Sequence, residues 1–421
     1  DYLYYLKAKI LYEEDSLEDA LSNINNSLMI TEKEEYLRLK KDILLKLERW
    51  ADLVEICKRL IRINPKDADI YKLLARSLIN LGRYDDAETV YQNALEIFPN
   101  NIEILDEMRI FYTKLNRADK VIEVCNKILE IDPNDLNALL DRGHAYMKIG
   151  NLNKALNDFN EAYAISKNAE VCASLGEVYE KMEDFQSAAK YYNQAYRKDK
   201  DLYYLYKVAE CYFKFGDTSR ALRTIDRAIK KEEREDFILL KARILASLDR
   251  DEEAFRLLEK LRTKDAKVLK AKLLMDKEKY EEVVAMLEEE EDYDSLILKA
   301  EALEKMDNLE EAYEMYSKAV KIRESAEIYE AMGRILVKLK KYEDALKSYD
   351  RAVAINPNDP QLWSSLAFVL EKIGDIDNAI KCYEKVISLN PEDKFAWSSK
   401  GRLLLSKGIY EEALRCFEKA L

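Results

Sequence analysis

Few of the residues that ordinarily carry chemistry occur in this chain of 421 residues. It contains one histidine, His144, so an HExxH zinc site is excluded and a histidine-based catalytic triad is disfavoured. The nine glycines form neither GxGxxG nor GxxxxGK[ST], the patterns that cradle phosphate groups. Carboxylates are abundant, but a solvated helical surface explains them better than a catalytic pair. The sequence therefore predicts no enzyme, no metal site and no cofactor.

The cysteines do not form a metal or redox motif, because no two of them make a CxxC pair. The six are Cys57, Cys125, Cys172, Cys211, Cys382 and Cys416. Scattered cysteines of this kind are typical of proteins in a reducing compartment. We expect all six to be reduced and the protein to be cytoplasmic.

The composition predicts helices and excludes several classes of partner. Apolar residues are 48% and charged residues 36%, with only 9 Gly and 6 Pro, which favours an all-α protein. The net charge of −13 argues against nucleic-acid binding, and no apolar run is long enough to cross a membrane. Lys and Glu are frequent, whereas Gln occurs only at four positions. This bias indicates a thermophilic archaeon or bacterium as the source.

The elements that carry these residues are repeats of about 34 residues. The segment "GRYDDAETVYQNALEIFPNN" at 82–101 is similar to "KKYEDALKSYDRAVAINPND" at 340–359, and both contain an alanine twelve residues before a proline. The same apolar position recurs thirteen times: Ala20, Leu53, Ala87, Val121, Ala155, Ala188, Ala221, Ala254, Val283, Ala312, Ala345, Ala379 and Ala413. We therefore predict one continuous array of about thirteen repeats over residues 1–421.

The residue types within one repeat explain how it folds. When the recurrent residue is numbered position 20, position 8 is Gly or Ala in eleven of thirteen repeats, and position 24 is always apolar or aromatic. Positions 4, 7, 8 and 11 share one helix face, as do positions 17, 20, 24 and 27 of the next helix. Small residues at 8 and 20 allow close approach of two helices, and a repeat this short must stack on its neighbours.

This pattern resembles the tetratricopeptide repeat family. The match is close in "YKLLARSLINLGRYDDAETVYQNALEIFP" at 71–99 and in "WSSLAFVLEKIGDIDNAIKCYEKVISLNP" at 363–391. The resemblance implies an α-solenoid that forms a right-handed superhelix. It also implies a concave groove, lined by the first helix of each repeat, in which members of the family bind peptides or partner proteins.

Two departures from the family pattern predict local changes of structure. Lys41 and Arg109 occupy the small position 8, so we expect the first helices of repeats two and four to be shifted in phase. The spacing of position 20 falls to 29 between Ala254 and Val283 and again before Ala312, which makes two short repeats at about 263–321. We expect the second helices of repeats eight and nine to be shortened after Leu261 and Leu287, with the acidic run 288–292 at or near the following bend.

The groove positions 2, 5 and 9 differ between repeats, as a recognition surface should. The candidates for partner binding are Lys72, Arg76, His144, Tyr203, Tyr206 and Glu210. For His144, an ordinary groove-face residue is the favoured interpretation. Exposed tyrosines supply a large contact area at low entropic cost, although tyrosines also pack between repeats.

A column of lysines at position 13 has two interpretations. Its members are Lys46, Lys114, Lys148, Lys181, Lys214, Lys305, Lys338 and Lys372. They could hold an acidic peptide, or they could offset the dipole at the end of the first helix, and we favour the second interpretation. The family's best-known clamp combines Lys, Asn and Arg across three repeats. No three consecutive repeats here supply that set, which disfavours a binder of chaperone tails.

The sequence therefore predicts a protein–protein interaction scaffold that binds a peptide or partner protein. The alternative is a regulatory or substrate-recruiting arm of a larger multidomain enzyme, and the first residue, Asp1, leads us to expect part of a longer gene product. Leu414, Phe417 and Leu421 form an apolar stripe on the last helix. Since a solenoid end is half of an inter-repeat contact, we expect weak end-to-end self-association.

Overall fold

The computed structural model describes residues 1–261 and 263–421, and over these residues the protein is an all-α solenoid of helix pairs without a β-strand. The chain divides into two compact units, Asp1–Ala228 and Ile229–Leu421, here called the N-terminal unit and the C-terminal unit. Within each unit, most helices that follow one another in the chain pack together. The single continuous array and its right-handed superhelix stay predictions.

The N-terminal unit contains seven helix pairs, one for each of the first seven repeats. In chain order they are α1 Tyr2–Glu13, α2 Leu17–Ile30, α3 Glu34–Lys46, α4 Trp50–Ile63, α5 Ala68–Asn80, α6 Tyr84–Ile97, α7 Ile102–Lys114, α8 Ala118–Ile131, α9 Leu136–Lys148, α10 Leu152–Ile165, α11 Ala169–Lys181, α12 Phe185–Asp199, α13 Leu202–Lys214 and α14 Thr218–Ile229. The first helix of every pair covers positions 1 to 13 of its repeat or nearly so.

The C-terminal unit contains six further pairs among its described residues. They are α15 Glu235–Ala246, α16 Asp251–Leu261, α17 Lys264–Asp276, α18 Tyr280–Met286, α19 Tyr293–Lys305, α20 Leu309–Ile322, α21 Ala326–Lys338, α22 Tyr342–Ile355, α23 Pro360–Ile373, α24 Ile376–Leu389, α25 Lys394–Ser406 and α26 Tyr410–Ala420. Helices α16 and α18 have 11 and 7 residues, against 14 in most second helices. Helix α18 ends at Met286, one residue before the predicted Leu287, which confirms that it is short, and turn residues follow it in the acidic run.

Each first helix ends in the same way, at position 15 of the repeat. This residue adopts a left-handed conformation whether or not it is glycine, as at Gly150 (φ 79°) and Lys340 (φ 58°). The next backbone N–H then donates to the carbonyl at position 11, for example from Asn151 to Tyr146 at 2.9 Å. The bond satisfies a free carbonyl at the helix end and turns the chain into the second helix.

The core of each repeat is the contact between positions 8, 20 and 24, as the sequence predicts. Ala8, Ala20 and Ile24 are fully buried in the first repeat. The aromatic ring at position 24 lies against a glycine at position 8 in four later repeats, for example Phe159 against Gly143. The missing side chain at position 8 is what allows the ring to fill the space between the two helices.

Repeats two and four reverse this arrangement, and the expected phase shift of their first helices is wrong. Helices α3 and α7 begin and end at positions 1 and 13, like those of ordinary repeats. Arg109 is buried at position 8, and the residue at position 24 of the same repeat is the small Cys125. Repeat two shows the same exchange of sizes, with Lys41 at position 8 and Cys57 at position 24. A large residue at position 8 is therefore accommodated by a small one at position 24 and not by a movement of the helix.

Candidate functional site

Clefts open between first helices of adjacent repeats in both compact units. In the N-terminal unit a cleft of about 660 Å³, here called the His144 cleft, lies between α9, α11 and α13. It is lined by His144, Glu170, Ala173, Ser174, Glu177, Glu180, Lys181, Tyr192, Tyr203, Tyr204, Lys207 and Lys214. The first helices supply all but one of these residues, so the cleft lies on the face that the sequence predicts for binding.

His144 is held at the wall of this cleft by a serine of the next repeat. Its Nε2 lies 3.1 Å from Oγ of Ser174, and the same hydroxyl donates to the backbone carbonyl of Glu170 at 3.1 Å. In the tautomer that satisfies both bonds, the serine proton is used in the second bond and His144 Nε2 carries the proton of the first. The centre of the His144 ring lies 5.0 Å from that of Phe159. Burial lowers the pKa of His144 because it disfavours the charged imidazolium. The imidazole is therefore neutral at pH 7.

Two lysines and two glutamates form a closed network beside the histidine. Nζ of Lys207 lies 2.8 Å from Glu180 and 2.7 Å from Glu210, and Nζ of Lys214 lies 2.8 Å from Glu180 and 3.3 Å from Glu210. The hydroxyl of Tyr192 also donates to Glu180 at 3.1 Å. Burial disfavours the ionised form of Glu180, but the hydrogen bonds from both lysines outweigh it and lower its pKa. The four charges balance within the network.

The same device joins other pairs of repeats. In the C-terminal unit Glu304 accepts hydrogen bonds from Arg334 at 3.0 Å and from Lys338 at 3.3 Å. Glu371 likewise accepts from Arg402 at 3.1 Å and from the hydroxyl of Tyr383 at 2.7 Å. Each glutamate is at position 12, and its cation belongs to the first helix of the next repeat. These ion pairs therefore hold successive first helices together.

The cleft of the C-terminal unit, here called the Glu304 cleft, has a volume of about 740 Å³ between α19 and α21. The guanidinium of Arg323 lies 3.8 Å above the centre of the Tyr293 ring. Glu301 also lines the cleft, and burial together with the nearby charge of Glu304 raises its pKa. Acidic, basic and aromatic groups thus alternate along this cleft as they do along the His144 cleft.

The lysine column at position 13 has a role that neither sequence interpretation describes. Four of its members reach an oxygen of the preceding repeat: Lys46 to Asp15, Lys148 to Asn116, Lys214 to Glu180 and Lys338 to Glu304. The distances are 2.8 to 3.3 Å. These lysines contribute to the joint between repeats.

The structure brings only part of the predicted partner-binding set together. His144 and Tyr203 line one cleft, and Glu210 belongs to the lysine network beside it. Tyr206 is half-buried on α13 and does not line the cleft. Lys72 and Arg76 lie elsewhere, in contacts between α5 and α7. Lys72 bonds Glu103 and lies 2.8 Å from Asp69, while Arg76 lies 2.6 Å from Glu107. The partner-binding role of all six residues stays a prediction.

Sequence reasoning missed several residues of the His144 cleft. Tyr204, Lys207 and Ser174 stand outside positions 2, 5 and 9, the positions from which the groove is predicted. A helix turns by about 100° per residue, so positions 3, 6 and 13 also border the first-helix face. A signal was present in the sequence, since glutamate at position 12 recurs with a cation at position 9 or 13 of the next repeat.

The remaining features of the described residues concern the last helix, metals and membranes. Leu414 and Leu421 are exposed, whereas Phe417 is half-buried against Gly401.

Among residues 1–261 and 263–421, no group of three or more His, Cys, Asp or Glu side chains is arranged to hold a metal ion. Within the same residues, no helix combines the length and the apolar character that a bilayer crossing requires.

Family models match the chain in several separate regions. Models described as tetratricopeptide repeat match residues 44–109, 140–202, 293–325 and 360–393, and a model described as TPR repeat matches 333–374. A model of subunit 3 of the anaphase-promoting complex, or cyclosome, matches residues 181–261. No curated protein matches the chain significantly.

Solved structures similar to this one are distant in sequence. The chain is 22% identical to a tetratricopeptide repeat protein from Parabacteroides merdae, covering 57% of this chain and 98% of that one, with a TM-score of 0.41. It is 15% identical to a chain of Naa15/Naa10 bound to HypK-THB (99% and 67% covered, TM-score 0.42) and 23% identical to MamA (42% and 91% covered, TM-score 0.32). On the family models and the helix-pair architecture, the chain is a tetratricopeptide repeat protein.

Proposed function

We propose that this protein is an interaction scaffold that binds an extended peptide or a segment of a partner protein along its first helices. The observation that carries the proposal is the His144 cleft, which is open to solvent and has a tyrosine at its edge. Tyr203 is 47% exposed, whereas the other apolar residues of α13 are buried or half-buried. Exposed tyrosine is typical of interaction sites.

The chain's residues favour binding over catalysis. Glu180, a carboxylate of the same cleft, is already bonded to two lysines. The histidine itself bonds a serine hydroxyl that is also bonded to the backbone. Groups committed to such bonds hold the cleft in shape. A rigid, preformed cleft reduces the entropic cost of binding a flexible segment.

Capture of partners from the native lysate tests the proposal. The double variant Tyr203→Ala/Tyr204→Ala should lose the captured protein while it keeps wild-type helicity. A matched control is Tyr410→Ala, because Tyr410 is exposed on the second helix α26, far along the chain from the cleft. Cross-links from the captured protein should fall on α9, α11 and α13. Equal capture by the wild type and the double variant would reject the first-helix face as the binding surface.

We also propose weak association of this chain through its ends. Leu414 and Leu421 present exposed apolar surface, with Phe417 beside them on α26. The net charge of −13 opposes contact between copies, so association should strengthen as salt screens the charge. Light scattering over a range of protein and salt concentrations measures it, with Leu414→Glu as the variant that should prevent it. A constant monomer mass at high concentration and high salt would reject it.

The source and compartment are part of the proposal. The Lys and Glu bias with scarce Gln favours a thermophile, and the six buried free cysteines suit a reducing compartment such as the cytoplasm. A thermophilic origin leads us to expect a melting temperature above about 80 °C. A melting temperature in the range of about 45–65 °C, typical of mesophilic domains, would contradict it.

A further inference from the structure

We propose that the His144 cleft recognises a positively charged side chain of the partner segment, with arginine preferred to lysine. The inference rests on the proposed scaffold function and names the chemistry of its ligand. Some charged groups of the cleft are already bonded within the protein, whereas other charged and polar groups remain able to bind a ligand.

Two of the three lysines that line the cleft are satisfied by the protein itself, and the third, Lys181, lies 3.8 Å from Glu177. Lys207 and Lys214 are each bonded to both Glu180 and Glu210, and the side chain of Lys207 is only 15% exposed. The buried pairing raises the pKa of Lys207, so the ammonium stays charged and bonded. An acidic ligand would have to take one of these lysines from two carboxylates, which would leave buried negative charge behind. The network therefore disfavours an acidic ligand at Lys207 and Lys214.

The carboxylates of the cleft outside the network are only weakly paired with cations of the protein. The nearest cation to Glu177 is Lys181, one turn along the same helix at 3.8 Å, and Glu170 takes part in no ion pair among the described residues. Both carboxylates line the cleft and interact electrostatically with the histidine, as do Asp141 and, in the opposite sense, Lys148. A positively charged ligand would bind Glu170 and Glu177 and supply the compensating charge that the lysine network does not give them.

The neutral groups of the cleft also suit a donor ligand. In the tautomer that satisfies both bonds of Ser174, Nε2–H of His144 donates to the serine and Nδ1 is an acceptor. The rings of Tyr203 and Tyr204 lie 5.8 Å apart in an edge arrangement and both line the cleft. Aromatic faces attract cations, and a guanidinium stacks on them more readily than an ammonium.

The chain itself contains an example of the contact that we propose. In the C-terminal unit Arg323 stacks 3.8 Å above the ring of Tyr293, and the carboxylates of Asp294 and Glu327 line the same Glu304 cleft. An arginine of this chain thus occupies, in one first-helix cleft, the kind of position that the His144 cleft leaves open. A planar guanidinium satisfies both partners at once, because it stacks on a ring through its face and bonds carboxylates through its edge.

Binding of a labelled peptide tests the proposal directly. The probe is a fluorescein-labelled nonapeptide of Gly and Ser that carries two arginines, and its affinity for the full chain is measured by fluorescence anisotropy at low salt. The matched peptides replace both arginines by lysine, glutamine or glutamate. We expect the arginine peptide to bind most tightly and the lysine peptide next. The Gln and Glu peptides should bind at least tenfold more weakly than the arginine peptide, a difference of roughly 1.4 kcal/mol or more in binding free energy.

Variants assign the binding to the cleft. The double variant Glu170→Gln/Glu177→Gln should weaken the arginine peptide by roughly tenfold or more. Its control is Glu18→Gln/Glu161→Gln, which removes the same charge from exposed positions on the second helices α2 and α10. Equal weakening by both doubles would mean attraction to net charge only and would overturn the site, as would tight binding of the glutamate peptide.

The outcome separates this inference from the scaffold function. If the arginine peptide binds no better than the glutamine peptide, but Tyr203→Ala/Tyr204→Ala still abolishes capture of the lysate partner, the cation preference fails and the scaffold function stands. If the tyrosine double variant captures the partner normally, the first-helix face fails as the binding surface, and the cation proposal for it falls as well.

Discussion

The ring of Tyr192 lies directly over Gly176, so that a Cβ atom added to the glycine would come within 2.8 Å of the ring carbon Cδ1. The same relationship joins Gly333 to Tyr349, where the distance is 2.7 Å. Real side chains are not found this close together. The glycine is therefore required by the ring that packs on it, and not by the helix in which it stands.

The first prediction concerns this contact. An Ala in place of Gly inside a helix normally stabilises a protein by up to about 1 kcal/mol. Gly176→Ala should instead destabilise by about 1–3 kcal/mol, because the methyl group forces the Tyr192 ring out of its place. Urea unfolding followed by circular dichroism measures the change. A higher urea midpoint for the variant would show that the ring moves aside without cost.

The second prediction concerns the reversed repeat. Cys125→Tyr should destabilise the protein strongly, since Arg109 already fills the space that position 24 uses elsewhere and is held by Asp141. Adding Arg109→Gly should recover part of the loss, because the pair then matches Gly176 and Tyr192. A double-mutant cycle should give a coupling energy of about 1 kcal/mol or more. Additive effects would show that the two positions are independent.

The third prediction concerns the end of the first helix, where position 15 is left-handed. Lys340 has φ 58°, a conformation that costs a residue with a side chain about 1–2 kcal/mol relative to glycine. Lys340→Gly should therefore stabilise by about 0.5–1 kcal/mol. Gly374→Ala, at the same position with φ 94°, should destabilise. Changes of the same sign in both variants, measured by thermal unfolding, would contradict this account.

The fourth prediction concerns pH. Burial lowers the pKa of His144 below its ordinary value of 6.5, so the unfolded chain takes up a proton at a higher pH than the folded protein. Stability from the neutral ring is therefore present above pH 6.5 and is lost as the pH falls from there through the folded pKa. His144→Asn should lose less stability than the wild type between pH 7.5 and pH 5.5. Parallel curves for the two proteins would remove the histidine from the pH response.

The fifth prediction concerns the short helix α18. With 7 residues, it buries little apolar surface compared with α20, which has 14. Amide hydrogens of 280–286 should exchange faster than those of 309–322, because helices with few buried contacts open locally at low cost. Hydrogen exchange with mass spectrometry resolves both segments. Equally slow exchange in the two helices would show that α18 is held by its neighbours as firmly as a full-length helix.

The helix pairs could be predicted from the sequence because one pattern occurs thirteen times. Periodicity of Ala and aromatic residues determines which faces are buried, and Gly176 and Tyr192 are identified by their positions alone. The short second helices followed from the spacing of Ala254, Val283 and Ala312. Local rules of this kind need no knowledge of distant parts of the chain.

The phase of repeats two and four and much of the cleft could not be predicted in this way. A prediction from position 8 alone overlooks the exchange of volume between Arg109 and Cys125. The cleft depends on which charges pair across repeats, and Lys207 reaches two glutamates because of side-chain length and direction. Lys207 and Glu180, for example, are 27 positions apart in the chain. A pattern within one repeat does not describe a contact between two repeats.

The pairing of positions 8 and 24 has a consequence for how such a protein can change in evolution. Both partners of each pair, such as Gly143 with Phe159 or Arg109 with Cys125, belong to the same repeat. Duplication or loss of a whole repeat copies or removes both partners together and leaves every remaining pair matched. A single substitution at either position leaves a mismatch. Growth by whole repeats therefore preserves the core at every step, and an exceptional pair, once formed, is inherited as a block.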